Sequence, residues 1–577
     1  MRKFITTAIA FVFCFFIFTK LAFAQAAPVP LALEQSRDGA RVQQIASSTL
    51  ASLGDPLFNL VLKERADVTN LAELENLIKG QQGQERTFVV DETIVDTRPI
   101  VDAQPTTRRA ILTFTGNNQG ERLDRNVMLS VFFNSENFPD VQSIEALGWD
   151  SQRGRYNYYK LDQQGTPGRL SWKFRNSSVQ ADLLQPAQRS GTCLQCHING
   201  APVMKELAFP WNNWHSFAFN ANYLRLDWKA GTNSRITQNL TGAEVLEVNF
   251  IRPAINQFNE KRIEESIARN NDGSPITNAD GSQQVIQGKR LLRPLFETTE
   301  FNLISSNQQV GNLHPFSSNP TPGPFADVQI PNTFFLNANL IGGNTSSISQ
   351  SLGIGESLGF SNIARVKPEE YRQLLVQSGV KLDGKPGDAN FAWFVPEASH
   401  VDNSAIAQLM NRGVVTPEFV AAVMAVDLET PVFSEKRQEL LQFLPEQFSF
   451  QPLQSGTNPL NVKRFPDDLT QKVIAAIEQT NPSSDSTAAE FLTLLKNDNL
   501  LQVLKERVQA YTNSIDQKLN KNDQATRQAE LKRLYDLAIA RRRAVISDPV
   551  LAAINETGNA LLPVPDIGIA STVSSNQ

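Results

Sequence analysis

Cysteine, histidine and methionine are scarce in this chain of 577 residues, at three, four and five respectively. So few cysteines exclude a disulfide-stapled scaffold, and the fold must be held by its core. A long basic tract is also missing, and the formal net charge is −5. That excludes nucleic acid as the main partner, because phosphate recognition needs clustered Lys and Arg. The one basic cluster, Arg541-Arg542-Arg543, lies inside a helical pattern and reads as a solvated helix face. Beyond the N-terminal segment no stretch is apolar enough to cross a bilayer.

That N-terminal segment has the pattern of an export signal over residues 1–24. Arg2 and Lys3 precede an apolar run from Phe4 to Phe18, and Ala22-Phe23-Ala24 is a small-x-small cleavage sequence. The run is short for a membrane span and Lys20 interrupts it, so cleavage after Ala24 is expected. The expected location is periplasmic or secreted, with no transmembrane span after cleavage. Cys14 leaves with the signal, and the mature chain keeps only Cys193 and Cys196.

Both lie in Ser190-Gly191-Thr192-Cys193-Leu194-Gln195-Cys196-His197. This is C-x-x-C-H, the spacing that attaches a c-type haem. Two thiols at this spacing reach one macrocycle as thioethers, and the adjacent histidine supplies the proximal iron ligand. A redox dithiol would not need His197, and it belongs in a βαβ pattern that the flanks do not show. The motif resembles the c-type cytochrome signature. The resemblance implies one covalent haem c on Cys193 and Cys196, with His197 as the iron ligand.

Around the motif the pattern is α+β. Val42, Ile45, Leu50 and Leu53 recur at roughly helical spacing, so 25–85 is expected to be a helical N-terminal segment. Residues 86–230 form the β-rich haem region, with strands at Phe88–Val95, Ala110–Thr115, Val127–Phe133, Tyr156–Leu161 and Leu170–Phe174. In the last, Leu170, Trp172 and Phe174 point one way, and Ser171 and Lys173 the other. This antiparallel series before the motif resembles, more weakly, the cytochrome c-prime-beta class and its hydroxylamine-oxidising relatives. The resemblance implies a sheet-rich haem fold.

Residues 231–455 mix helix and loop. Thr241-x-x-Glu244 reads as a capping box, Asn271-Asp272-Gly273 and Ala279-Asp280-Gly281 as turns, and 304–360 as long loops rich in Asn, Ser, Gly and Pro. A helix over Ile406–Met410 stops at Gly413, Thr416-Pro417 starts another, and Ser434 caps a third. Residues 456–563 are helical and end in an antiparallel helical hairpin broken at 520–523, followed by a flexible tail over 564–577.

The residue opposite His197 on the iron decides between functions. Filling both axial positions suits electron transfer, and an open position suits chemistry on a small molecule. Met204, two helical turns on, would lie roughly 10 Å further along the same side and is expected to pack against the macrocycle edge. His215 lies beyond Pro210, beside Trp211 and Trp214, and is the candidate distal ligand or distal catalytic residue; a structural histidine is the competing reading. Met410 and Met424 are expected in the core, and His400 has Glu397 and Asp402 near enough in sequence to orient it. Electron transfer with a redox partner protein leads. A haem oxidoreductase acting on a small-molecule substrate, and a haem-containing binding protein, are the alternatives.

Overall fold

The computed structural model describes residues 34–37, 41–44, 47–79, 84–92, 107–115, 127–133, 141–163, 170–178, 193, 197, 200–202, 213–214, 240–297, 301–304, 328–329, 365–366, 395–398, 400–430, 432, 434–519 and 523–547. The fold is α+β. Its centre is a nine-stranded sheet of β1 (Glu34–Arg37), β2 (Arg41–Gln44), β3 (Gln84–Glu92), β4 (Thr107–Thr115), β5 (Val127–Phe133), β6 (Val141–Asp150), β7 (Arg155–Gln163), β8 (Leu170–Ser177) and β9 (Asn213–Trp214). The spatial order is β2-β1-β8-β7-β6-β5-β4-β3-β9. Strands β3 to β8 form an antiparallel meander, and the pairing of β1 with β8 is parallel.

Side chains alternate across this sheet and build a core on each face. On one face Leu112, Leu129, Ile144, Tyr159, Trp172 and Phe174 meet Leu57, Val61, Leu74 and Ile78 from the helical stretch 47–79, which ends in α1 (Leu71–Lys79). The Trp172 indole N–H donates to the Val68 carbonyl at 2.7 Å, fixing that layer against the strand. On the other face Phe88, Ile111, Met128, Trp149, Tyr156 and Tyr158 meet Ala243, Leu246, Phe250, Ala254 and Phe258. The covering helix runs from Ala243 through a π-helical turn at Glu247–Ile251 into α2 (Arg252–Glu265). Pro253 stands just after the π turn, where its missing N–H disturbs the regular ladder.

Helix α2 also joins the sheet unit to a helical one. Its Ile255 and Phe258 face the sheet, while Ile263 enters the helical core. That core gathers α3 (Gly288–Phe296), α4 (His400–Asn411), α5 (Pro417–Ala425), α6 (Asp468–Gln479), α7 (Thr487–Leu495), α8 (Leu500–Leu519) and α9 (Gln524–Ser547). Phe296, Phe419 and Phe491 stand edge to face, with centroids 6.1 to 6.2 Å apart, the arrangement aromatic quadrupoles favour. Helices α8 and α9 form the C-terminal hairpin, and Met410 and Met424 are buried core residues. Thr416 and Ser434 cap as the sequence indicates, each accepting from the backbone N–H three residues on.

Several expectations give way to the structure. Val42 lies in β2 and pairs with Ser36, so the N-terminal stretch is not helical throughout. Strand β6 was not anticipated, because apolar residues occupy both its faces and the alternating signal is lost. The helix after Thr241 has Gly242 at its N-cap with no side-chain cap, and the Thr241 backbone N–H instead donates to the Thr87 carbonyl at 2.8 Å. Arg541 is not on a solvated face: it is 3% exposed and donates to the Glu429 carbonyl. Burial pushes the Arg541 guanidinium down to about 10, against the nearby Tyr511, Asp427 and Glu429 charges. The loops expected over 304–360 fall almost wholly outside the described residues, apart from β-pairing at 328–329.

Candidate functional site

The His197 N–H donates to the Cys193 carbonyl at 3.0 Å, the i to i−4 spacing of a helical hydrogen bond. The chain then reverses: the Gly200 N–H donates to the His197 carbonyl at 2.8 Å. Gly200 has φ +78°, a left-handed conformation, and a Cβ there would stand 2.7 Å from Ser178 Cβ. Glycine is therefore required on both counts. Ser178 is held in turn by Tyr156, whose N–H donates to Ser178 Oγ at 2.9 Å.

The reversal places the Ala201 carbonyl beside the imidazole, 2.7 Å from His197 Nδ1. A carbonyl oxygen only accepts, so Nδ1 carries a proton, and in the neutral ring the lone pair is on Nε2. A metal-binding histidine needs this tautomer, with its second nitrogen fixed by an outer hydrogen bond. Tyr158 on β7 completes the support. Its hydroxyl donates to the Gly200 carbonyl at 2.5 Å, and its ring lies 5.0 Å from the His197 ring at 44°. Cys193 is half-buried and packs against the sheet-face core that includes Tyr158 and Ala201.

Charged side chains share the sheet face with Tyr158. Glu145 on β6 and Lys160 on β7 form an ion pair at 3.1 Å. Burial pushes the Glu145 carboxyl up, but the positive charges of Lys160 and Arg109, with the Lys160 hydrogen bond, outweigh it and hold the group below its usual range. The structure thus gathers Cys193, His197, Tyr158 and Glu145 on one face of the sheet.

Of the other anticipated site residues, Cys196, Met204 and His215 lie outside the described residues. The residue preceding His215, Trp214, is paired with Val90 at the edge of the sheet. His400 opens α4, where its Nε2 is 3.2 Å from Asn256 Oδ1. Burial pushes this imidazole down to about 4, helped by the Arg252 charge. Asp402 is 1% exposed, and its charge acts on Arg262. Tyr158, Gly200, Ala201 and Glu145 carry no motif and were missed by sequence reasoning. For Gly200 alone a signal existed, in Asn199-Gly200 just past the expected helix.

Among the described residues no group of three or more His, Cys, Asp or Glu could hold a metal ion. Haem iron takes four of its ligands from the macrocycle and asks the protein for one or two, which a single imidazole held at Nδ1 by a backbone carbonyl fits. No helix of the described residues is long and apolar enough to cross a membrane. No protein family, curated protein or solved structure matches the chain.

Proposed function

We propose that the chain is an exported c-type cytochrome that binds one haem covalently through Cys193 and Cys196 and transfers electrons with a redox partner. The observation that carries this reading is the hydrogen bond from His197 Nδ1 to the Ala201 carbonyl, the outer hydrogen bond that orients a metal-binding imidazole. A C-x-x-C-H sequence arising by chance would have no need of a fixed imidazole tautomer. When bound, the haem supplies one-electron chemistry. The chain's own residues orient the ligand: Tyr158 holds the turn, Gly200 permits it, and the sheet-face core packs against Cys193. Residues 1–24 as an export signal agree with this, because thioether attachment in bacteria takes place outside the cytoplasm.

Expression with a cytochrome c maturation system and an optical spectrum of the reduced protein, with and without carbon monoxide, test the reading. An electron carrier gives a low-spin spectrum that carbon monoxide leaves unchanged. Carbon monoxide binding would replace electron transfer with an oxidoreductase function at an open distal position. No covalent haem in the wild-type protein would overturn both.

A further inference from the structure

A cleft of about 710 Å³ opens where the C-terminal parts of α2 and α4 meet the antiparallel pair Gln283–Val285 and Phe448–Phe450. That volume falls within the roughly 300–1,000 Å³ of small-molecule sites. The cleft is separate from the haem motif. Its apolar residues Ile267 and Phe450 belong to the helical core, and none of its lining shares the core that Cys193 packs against. Its walls are pinned from several sides. The Leu453 N–H donates to the Arg412 carbonyl at 3.1 Å, the Thr457 N–H to the Gln454 carbonyl at 3.0 Å, and the Gln451 side-chain amide to the Asp280 carbonyl at 3.3 Å. The cleft is therefore preformed.

Its charges cancel. Among the described residues that line it, Arg412 is the one cation and Glu260 the one carboxylate, and they pair at 2.7 Å. Arg412 also lies 3.8 Å from Glu264, whose carboxylate is held in turn by Lys261 at 3.0 Å and Arg269 at 3.8 Å. An anion would therefore meet a guanidinium already neutralised, and a cation would meet carboxylates already paired. What remains is neutral and of two kinds. Ile267, Phe450 and Leu453 give an apolar floor, while Gln283, Ser455, Thr457 and Asn458 bring amides and hydroxyls to the rim. Gly456 stands among them at φ +84°, with nothing within 4 Å of where a Cβ would be, so a ligand can approach the backbone there.

We propose that this cleft binds a neutral carbohydrate of one or two pyranose rings. Every sugar hydroxyl both donates and accepts a hydrogen bond, and amides and hydroxyls on the protein do the same. The planar groups of Gln283, Asn458 and the Glu260–Arg412 pair can each meet two neighbouring hydroxyls at once. The C–H face of a pyranose ring is apolar and matches the floor of Ile267, Phe450 and Leu453. A fully apolar ligand would strand the polar rim without partners, which costs affinity. A phosphorylated sugar would gain nothing from the neutralised Arg412.

Isothermal titration calorimetry of the full chain with glucose, cellobiose and maltose tests this, with the thermal midpoint of each variant checked alongside. At least one of the three sugars is expected to give saturable heat. Gln283→Ala should weaken that sugar by about tenfold, through the loss of its hydrogen bonds. Ser455→Trp, at an exposed position on the rim, should fill the cleft and abolish binding without moving the midpoint. Glucose 6-phosphate should bind no tighter than glucose. No saturable heat with any of the three sugars would overturn the proposal, as would binding that both variants retain in full. A tenfold or greater preference for glucose 6-phosphate over glucose would assign the cleft to anions and equally overturn it. Haem attachment enters none of these outcomes, so the cytochrome reading stands or falls separately.

Discussion

Removing the Tyr158 hydroxyl loosens the turn that presents His197. In Tyr158→Phe the ring keeps its place 5.0 Å from the imidazole, but the Gly200 carbonyl loses the donor now 2.5 Å away. Tyr158 is 2% exposed, so water does not readily replace the hydroxyl. Leaving a buried acceptor without its donor costs about 1–3 kcal/mol. The cost falls on local opening of 197–201 rather than on global unfolding, because the helical core lies in a separate packed unit. Amide hydrogen exchange at Gly200, whose N–H is bonded to the His197 carbonyl, reads that opening directly. Exchange there should accelerate roughly 5- to 150-fold, the range equivalent to that free energy. Exchange in the helices α5 to α8 should not change. An unaltered Gly200 exchange rate would refute the claim that Tyr158 braces the turn.

Gly200→Ala adds a Cβ at positive φ, 2.7 Å from Ser178 Cβ; it should lower stability of the sheet unit by about 1–3 kcal/mol, measurable as a lower thermal midpoint by near-UV circular dichroism. Asp55 is fully buried, and burial raises its pKa against hydrogen bonds from Tyr159, Asn157 and the Phe58 N–H. A raised folded-state pKa means this contribution to stability is complete below the ordinary Asp range and is lost as pH rises through the folded value. Urea unfolding of Asp55→Asn from pH 3 to 8 should lack that decline, and a pH slope equal to the wild type would contradict it. Arg437 is 2% exposed and donates to the Asp427 carbonyl at 3.0 Å and the Thr430 carbonyl at 2.7 Å. Arg437→Met should destabilise the helical unit by about 3 kcal/mol, seen as earlier loss of helical ellipticity on heating.

How legible the fold was depended on whether an element has one buried face or two. Strand β8 has Trp172 and Phe174 on one face and Lys173 on the other, and it was read directly from alternation. Strand β6 packs Ile144 and Ala146 into one core and Trp149 into the other, which erased the pattern. Strands β1 and β2 were hidden behind a coincidental helical spacing of Val42, Ile45 and Leu50, although Asp38-Gly39 between them is a hairpin signal. The caps at Thr416 and Ser434 were legible because capping is local chemistry. At the site, sequence reached Cys193 and His197 through a motif. Tyr158 meets His197 only through the packing of a strand against a turn some forty residues away, which no local pattern encodes.

The central claim is covalent haem on the two cysteines of the motif. Intact mass of the denatured protein, after expression with a maturation system, tests it most directly. The account predicts a gain of one haem that survives denaturation, reduced in Cys193→Ala and Cys196→Ala and absent when both are replaced. A mature chain carrying no added mass, with both thiols free to alkylate, would contradict it.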